Sequence, residues 1–280
     1  TRDFQTTDLP IAEILPELRE HLEINNAVIL AAPPGAGKST WLPLQLLDEQ
    51  WLGNQKIILL EPRRLAARAV AGRLAELYGE RVGETIGYRV RFDTKVSRKT
   101  RLEVVTEGIL TRMMHNDNAL EDVGLVIFDE FHERSLDADL GLVLCRQIQE
   151  FLREDLRILV MSATLNLEDV QEILPAAPVV ISAGRQHPVE LHYADSSPGT
   201  RMEGAVAGAV HEALRTEKGD LLVFLPGVGN IRRTQEKLES LDPTVEVRPL
   251  YGNLTLRDQE RAIRPSPPGK RKVVLATAIA

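Results

Sequence analysis

The sequence predicts an α/β fold with parallel sheets. Short apolar runs rich in β-branched residues alternate with longer segments in which apolar residues recur at helical spacing. Strands that are apolar along nearly their whole length are typical of parallel sheets covered by helices on both faces. Because ligands of such folds bind at the carboxyl ends of the strands, the residues that follow each strand are the first candidates for a site.

The predicted elements alternate in order along the chain. Strands are predicted at 27–31, 57–60, 103–106, 124–128, 157–161 and 178–182, then at 221–225, 245–248 and 273–276. Helices are predicted at about 39–48, 64–77, 107–114, 135–152, 202–216 and 229–240. No short-period repeat or low-complexity tract interrupts this order.

Two domains are predicted, because the 280 residues exceed one typical domain. One series of strands and helices ends near Ile181 and another is under way by Leu221, with a turn-forming cluster at 195–199 between them. We predict a first domain at 1–183 and a second at 184–280. The chain ends soon after the last predicted strand, so the second domain is expected to be truncated.

Composition indicates an ordinary cytoplasmic protein. Hydrophobic residues make up 43% of the chain and charged residues 27%, and no apolar run approaches the ~20 residues that a membrane span needs. The N-terminus lacks the basic and apolar regions of a signal peptide. A single cysteine, Cys145, excludes an intrachain disulfide and lies in a helical pattern that predicts a buried packing role.

The net charge of −7 weighs mildly against nucleic acid as a partner, because phosphate-binding proteins are often basic. It excludes little, since a protein that moves along nucleic acid needs only a locally basic track. Arginines do cluster, at Arg63 and Arg64 and again at Arg89 and Arg91, although most such residues are expected to be solvated surface.

A glycine-rich loop follows the first predicted strand. The loop that would bind phosphate consists of Gly35, Ala36, Gly37, Lys38, Ser39 and Thr40. Glycines let a backbone close around phosphates, and successive N–H groups bind the anion. Lys38 would neutralise the β- and γ-phosphates, and the Ser39 hydroxyl would bind Mg²⁺. Ala32 stands where the strict pattern has glycine, and the alternative is an ordinary glycine-rich turn.

Two adjacent acids follow the strand predicted at 124–128. Asp129, level with the phosphate loop, would hold hydrated Mg²⁺, and Glu130 beside it would orient and deprotonate the attacking water. Alone these residues would be an ordinary surface pair, but in one sheet with Lys38 they predict an ATP-hydrolysing site. His132 indicates, within that class, a protein that moves along nucleic acid.

Hydroxyl residues follow the strand predicted at 157–161. Ser162 and Thr164 can hydrogen-bond His132 or the acids and so pass on the state of the phosphate. Serine and threonine are also common helix starts, which is the alternative interpretation.

Two more strand ends carry candidates for binding a nucleic-acid backbone. Arg63 and Arg64 follow the strand at 57–60, and Thr106 ends the strand at 103–106. Arginines, hydroxyls and exposed N–H groups at such positions suit phosphate contact. For both sites, helix capping is the alternative.

Together these motifs resemble the DEAH-box/RHA branch of superfamily 2 helicases, most closely its bacterial HrpB-type members. The likeness follows the family's order over nearly the whole chain, and its most specific motif is Asp129-Glu-Phe-His-Glu-Arg-Ser135. The other motifs that carry it are Gly35-Ala-Gly-Lys-Ser-Thr40, Glu61-Pro-Arg-Arg-Leu-Ala-Ala67, Gly87-Tyr-Arg-Val-Arg-Phe92, Thr106-Glu-Gly-Ile-Leu110, Ser162-Ala-Thr164, Phe224-Leu-Pro-Gly227, Leu250-Tyr-Gly252 and Leu275-Ala-Thr277.

The resemblance implies two RecA-like domains with ATP bound in the cleft between them, and 3′-to-5′ movement along single-stranded RNA. It implies the phosphate, Mg²⁺ and water roles given above, and a hairpin at 87–92 near the path of the RNA. The further roles that it implies are coupling of hydrolysis to RNA grip by His132, Ser162 and Thr164, RNA-backbone contact by Arg63, Thr106 and Thr277, and packing of Arg73 on the nucleotide base.

Several features depart from the family pattern. Phe131 replaces the alanine of the family signature, which fits the HrpB-type branch, and Ala278 stands where asparagine is usual. Ile263 replaces a base-stacking phenylalanine of many relatives, which predicts broad use of NTPs. The last helicase motif, with its arginine fingers, is expected beyond residue 280. Because such fingers contribute about 10³–10⁵ in rate, residues 1–280 alone are expected to hydrolyse nucleotide poorly.

The leading interpretation is an ATP-dependent RNA helicase that uses ATP and Mg²⁺. One alternative is a DNA translocase, because backbone contacts carry no sign of 2′-hydroxyl recognition. Another is a binding module in which nucleotide only sets the affinity for RNA. The residues leave the RNA target, a protein activator and the oligomeric state open.

Overall fold

The computed structural model describes residues 9–164, 168–184, 188–193 and 201–278. The chain divides into two compact units, residues 1–188 and 189–280, each with its own sheet. The α/β prediction is confirmed, because strands alternate with helices in both units. Among the described residues, no helix has the length and apolar character needed to cross a membrane. The turn cluster predicted at 195–199 lies outside the described residues.

The first unit contains most of the regular structure. Its helices are α1 Ile11–Ile24, α2 Leu42–Gln45, α3 Arg64–Tyr78, α4 Glu107–Asn116, α5 Leu136–Phe151 and α6 Glu168–Ile173, with single 3₁₀ turns at Gln50–Leu52 and Phe131–Glu133. Its strands are β1 Ala27–Ala31, β2 Lys56–Glu61, β3 Ile86–Val90, β4 Asp93–Lys95, β5 Leu102–Thr106, β6 Val123–Phe128, β7 Arg157–Ser162 and β8 Val179–Ile181.

The second unit is a smaller arrangement of the same kind. Its elements are α7 Met202–Thr216, β9 Leu221–Phe224, α8 Val228–Lys237, β10 Val245–Leu250, α9 Leu256–Ile263 and β11 Arg271–Ala276. The strands form a parallel sheet in the order β10-β11-β9.

The order of the first sheet determines which loops meet. The eight strands are arranged β4-β3-β5-β2-β6-β7-β1-β8, and the described neighbours are parallel apart from the antiparallel pair β3–β4. The five central strands β5, β2, β6, β7 and β1 therefore end at one edge. In register, Leu60 lies opposite Phe128, Phe128 opposite Val160, and Ala31 opposite Ser162. Segments far apart in sequence consequently start side by side at this edge.

Helices cover both faces of this sheet, which explains why its strands are apolar along their length. Successive residues of β2 point to opposite faces: Ile57 and Leu59 pack in the core with α1, α2 and α3, whereas Ile58 and Leu60 pack in the core with α4 and α5. All four side chains are buried. The helices thus fix the sheet from both sides and hold its carboxyl edge in place.

The helix predicted at 39–48 is wrong in extent. The helical segment is the four-residue α2, and the chain on either side of it forms turns. Pro43 lies in the first turn of α2, where its missing N–H is tolerated. Beyond it, Leu46 donates to the Pro43 carbonyl and Leu47 to the Leu44 carbonyl, which is the tighter spacing of 3₁₀ turns.

The hairpin implied at 87–92 is confirmed in kind and is longer than expected. Strands β3 and β4 pair antiparallel, with Arg91 and Phe92 at the turn. Tyr88 donates to Asp93 at 2.8 Å, and Asp93 pairs with Arg68 of α3 at 2.9 Å. These bonds join the hairpin to the helix that begins at Arg64.

Candidate active site

The glycine-rich loop closes around its own lysine. Gly35 and Gly37 have φ values of 78° and 98°, in the left-handed region that favours glycine. Lys38 is 4% exposed, and its Nζ donates to the carbonyls of Ala32 at 2.6 Å and Pro33 at 3.0 Å. Burial lowers the pKa of this amine, and the nearby Glu130 and Asp129 oppose that shift. The lysine is therefore held in the loop and lies near both predicted catalytic acids.

The start of α1 supports the loop, a contact that sequence reasoning missed. The Ile11 N–H donates to the Ala36 carbonyl at 3.2 Å. A Cβ added to Gly37 would lie 2.8 Å from Leu9 Cδ1 and 3.1 Å from Ile11 Cγ2, so both side chains would have to shift, and the left-handed φ favours glycine in addition. The apolar spacing Ile11, Leu15, Leu18, Leu22 was the available signal for α1.

Asp129 and Glu130 lie at the end of β6, two strands from the phosphate loop. Asp129 is 5% exposed, and its Oδ1 accepts from the Glu130 N–H at 2.8 Å. Glu130 has a φ of 48°, an uncommon conformation for a residue with a side chain, and such strain is concentrated at functional sites. Burial raises the pKa of Glu130, and the charge of Asp129 adds to the shift. A raised pKa suits a carboxylate that is to accept a proton.

Glu61, at the end of β2, is a member of the site that sequence reasoning missed. It is 3% exposed, and burial followed by the neighbouring Asp129 raises its pKa to about 9. A carboxyl with this pKa is neutral at pH 7 and donates a hydrogen bond to Asp129. Oδ2 of Asp129 is buried and has no hydrogen-bond partner among the described residues. A buried carboxylate oxygen left in this state is available to a cation or donor that enters the site.

His132 links the acids to the end of β7. Its Nδ1 lies 3.4 Å from Oε2 of Glu130 and accepts from the Ala163 N–H at 3.3 Å. The hydroxyl of Ser162 is used within its own turn, where it accepts from the Thr164 N–H at 3.1 Å. A hydrogen bond to His132 was expected from the hydroxyl of Ser162 or Thr164. It is made instead by the backbone N–H of Ala163, which lies between them. The structure brings these residues together by this backbone route.

Arg63 and Glu107, the residue after Thr106, are tied to the loop after β6. Arg63 donates to both carboxylate oxygens of Glu133, at 3.1 and 3.3 Å. Next to Thr106, Glu107 accepts from the Ser135 hydroxyl at 2.7 Å. Thr106 precedes α4 without a side-chain capping bond, and the same is true of Arg63 at the start of α3. The capping alternative finds no support in this geometry.

The remaining predicted residues are Arg64 and Arg73 of α3 and Thr277 of the second unit. Arg64 is exposed at the first position of α3. Arg73 is exposed on the same helix and pairs with Glu76 at 2.7 Å. Thr277 belongs to the second unit, where its N–H donates to the Leu250 carbonyl at 3.1 Å.

The donor chemistry of the first unit fits Mg²⁺ bound together with phosphate. The oxygens of Asp129, Glu130 and Ser39 are of the type that Mg²⁺ prefers, and Asp129 Oδ2 is a buried oxygen without an N–H donor. Within the described ranges, no group of three or more His, Cys, Asp or Glu residues forms a cage for a metal.

Comparison with known proteins gives a consistent result. A family model described as DEAD/DEAH box helicase matches residues 12–173. The chain is 58% identical over 275 residues to the ATP-dependent RNA helicase HrpB of Escherichia coli, covering 98% of this chain and 34% of that protein. It is 34% identical over 277 residues to an ATP-dependent RNA helicase HrpA homolog of Haemophilus influenzae, covering 97% of this chain and 21% of that protein.

Solved structures agree with the sequence comparison. The crystal structure of the Escherichia coli DEAH/RHA helicase HrpB matches with a TM-score of 0.90 at 58% identity, over 98% of this chain and 35% of that chain. A second structure, of the E. coli DExH-box NTPase HrpB, matches with a TM-score of 0.79. The chain thus spans about a third of the length of the HrpB proteins that it matches.

Proposed function

Because the chain belongs to the DEAD/DEAH box helicase family, we propose that it forms part of an ATP-dependent RNA helicase that couples NTP hydrolysis to 3′-to-5′ movement on single-stranded RNA. The observation that carries the proposal is the meeting of Lys38, Asp129 and Glu130 at the carboxyl edge of one sheet, near enough for their charges to interact. The 58% identity to a protein named as an ATP-dependent RNA helicase supports the choice of RNA.

In the proposed reaction, the loop residues bind and orient the nucleotide. The backbone N–H groups from Gly35 to Thr40 surround the phosphates, and Lys38 exchanges its loop carbonyls for phosphate oxygens. Mg²⁺, when bound with the nucleotide, would neutralise developing charge on the phosphates. Ser39 and Asp129 would hold it, with Glu130 alongside.

Glu130 is proposed to hold the attacking water and accept its proton. Its strained backbone directs the carboxylate beside Asp129 and His132. His132 would pass the state of the site to the end of β7 through the Ala163 N–H, with Ser162 and Thr164 keeping that turn in shape. Substituting Glu130 by Gln removes the base and keeps the size of the side chain.

The RNA is proposed to contact the ends of β2 and β5 in the first unit. Arg63, Arg64 and Thr106 would contact phosphates there, and Thr277 would contact the RNA from the second unit. We propose 1–183 and 184–280 as the two functional RecA-like domains. Arg73 is proposed to pack on the base, and Ile263 to permit NTPs other than ATP; both follow from the family resemblance alone.

The test is steady-state hydrolysis by the intact protein, with ATP and with each other NTP, in the absence of nucleic acid and with single-stranded RNA or DNA. Stimulation of hydrolysis by RNA but not by DNA supports the proposal, whereas equal stimulation by RNA and DNA would indicate a general single-strand translocase. No stimulation would favour a nucleotide-gated binding module or a requirement for a protein activator. Duplexes with a 3′ or a 5′ overhang then test direction.

Glu130→Gln is the matched variant for the chemistry. Because a general base contributes about 10²–10⁴ in rate, hydrolysis should fall by at least about a hundredfold while nucleotide binding persists. Unchanged RNA-dependent hydrolysis would exclude Glu130 as the base.

A further inference from the structure

The contact between Arg63 and Glu133 joins two parts of the site that the proposed function treats separately. Arg63 follows β2 and is proposed to bind an RNA phosphate, whereas Glu133 belongs to the loop that carries Glu130 and His132. Both Glu133 oxygens accept from the same guanidinium nitrogen of Arg63, and both side chains are 38% exposed. An RNA phosphate would therefore have to compete with a carboxylate that already holds the arginine.

Glu133 is closely connected to the catalytic loop. Its N–H donates to the Glu130 carbonyl at 2.9 Å, and Phe131–Glu133 forms a single 3₁₀ turn. The turn is anchored before Glu133 by the buried Phe131, which packs edge-on against Phe128. After Glu133, Arg134 pairs with Asp139 and Asp169. Contacts on both sides of Glu133 therefore hold the turn that presents its side chain to Arg63.

A cavity connects this ion pair to the reacting carboxylates. It has a volume of about 170 Å³, and its lining includes Arg63, Glu133, Asp129 and Glu130. The same small cavity therefore contains both the proposed RNA contact, Arg63, and the proposed water-binding residue, Glu130. The Glu107–Ser135 bond ties the neighbouring strand end to the same loop and lines the same cavity.

We propose that Glu133 is a positioning residue that competes with RNA phosphate for Arg63, so that RNA binding and the catalytic loop are coupled through this ion pair. This inference rests on the proposed function. In the absence of RNA the carboxylate holds the guanidinium; a bound phosphate takes the same donors and releases Glu133. Because coupling between binding events is reciprocal, any change in the loop that withdraws Glu133 raises RNA affinity by the same factor.

The test is the affinity of the intact protein for a fluorescent single-stranded RNA, measured for wild type, Glu133→Gln, Arg63→Ala and the double variant. Glu133→Gln should bind RNA about two- to fivefold more tightly, the factor expected from loss of an exposed ion pair. In the Arg63→Ala background the same substitution should have no effect, because the arginine that it competes for is absent. Glu133→Asp, which keeps the charge, should restore most of the wild-type affinity.

A second measurement separates coupling from a general structural effect. In the RNA-stimulated NTPase assay, Glu133→Gln should lower the RNA concentration for half-maximal stimulation by the same factor. Glu212→Gln is the matched control, since it removes an exposed acid paired with Arg215 in α7 and should change neither quantity.

Three results would overturn the inference. If Glu133→Gln raised RNA affinity equally with and without Arg63, the Glu133 carboxylate would act on RNA only through charge repulsion and not by competing for Arg63. Unchanged or weaker RNA binding by Glu133→Gln would mean that no competition exists. If Arg63→Ala bound RNA with wild-type affinity, Arg63 would not contact the RNA and there would be nothing for Glu133 to compete for. RNA-stimulated hydrolysis, and hence the proposed function, would be unaffected by that result. Absence of RNA-stimulated hydrolysis in the wild type would instead count against the proposed function.

Discussion

The buried carboxyl of Glu61 makes the stability of the first unit depend on pH. In the unfolded chain this group titrates near its ordinary pKa of 4.5, whereas in the folded protein burial and the neighbouring Asp129 raise its pKa to about 9. Below pH 4.5 it is neutral in both states and its effect on stability is absent. Between pH 4.5 and 9 the unfolded chain has released the proton that the folded protein retains, so stability falls as pH rises.

The size of the effect follows from these two values. At pH 7 the loss is at most about 1.36 kcal/mol for each pH unit above 4.5, or roughly 3 kcal/mol. Glu61→Gln removes the titration, keeps the shape and supplies an amide N–H to Asp129. Because the buried amide leaves other polar atoms to satisfy, we expect a net gain in the free energy of unfolding of about 1–3 kcal/mol at pH 7.

The assay is thermal or urea unfolding of both proteins in EDTA, from pH 4.5 to 8.5. Relative to wild type, Glu61→Gln should be slightly less stable at pH 4.5, where only the cost of the buried amide remains, and the difference should move in its favour as pH rises. At neutral pH the melting temperature should rise by about 2–4 °C per kcal/mol gained. A difference that is constant with pH, or a variant less stable than wild type at pH 7, would show that Glu61 does not keep its proton in the folded protein.

Glu103 provides the matched control. It is as buried as Glu61, at 1% exposed, but it is paired with Arg89 at 2.6 Å and Lys56 at 3.7 Å. Glu103→Gln breaks both ion pairs, and although Lys56 keeps Asp122 at 3.8 Å, Arg89 loses its close carboxylate, so the substitution should destabilise the protein at neutral pH. Opposite signs for two substitutions of buried glutamates would show that the neighbouring charge, rather than burial alone, decides the outcome.

Three further predictions concern the loop, the hairpin and the cysteine. Gly37→Ala should lower the free energy of unfolding by about 1–2 kcal/mol because of the left-handed φ at this position, and it should weaken nucleotide binding. The control Gly208→Ala, in open space on α7, should be neutral or stabilising. Equal melting temperatures for the two variants would contradict this prediction. Tyr88→Phe should cost about 0.5–1.5 kcal/mol in urea unfolding through loss of its bond to Asp93, and an unchanged midpoint would mean that this bond contributes nothing. Burial raises the pKa of Cys145 to about 12, so a thiol reagent should label it only at the rate of unfolding; rapid labelling of native protein would show that the helix opens locally.

The strands were predictable because a strand covered on both faces must be apolar at every position. Runs of β-branched and apolar residues located nine strands within a few residues of where the structure has them, although β10 also carries Glu246 and Arg248. Strand β4 carried no such signal, since Asp93–Lys95 is polar and three residues long. For α9, few apolar residues mark the helix, although Thr255 and Asp258 form a capping pair that was the available sign of its start.

The side chains of the site were predictable only where a strand end could be recognised from the sequence. Lys38, Asp129 and Ser162 each follow an apolar run, so their types and positions were visible before their contacts were. The contacts themselves depend on strand order, which an apolar pattern does not encode. Glu133 looked like one more charged residue until the neighbouring positions of β2 and β6 brought it to Arg63.

Glu61 illustrates the same limit in electrostatic terms. As a sequence position it is an acid at the end of a strand, and nothing local distinguishes it from an exposed surface residue. In the sheet, the Asp129 N–H donates to the Leu60 carbonyl at 3.1 Å, and this bond puts the two acids on adjacent strand ends in a buried layer. Two carboxyl groups held so closely away from water cannot both be ionised at low cost, so one keeps its proton. The charge state of the site is therefore a product of the pairing of β2 with β6, and changing that pairing would change the chemistry without changing either residue.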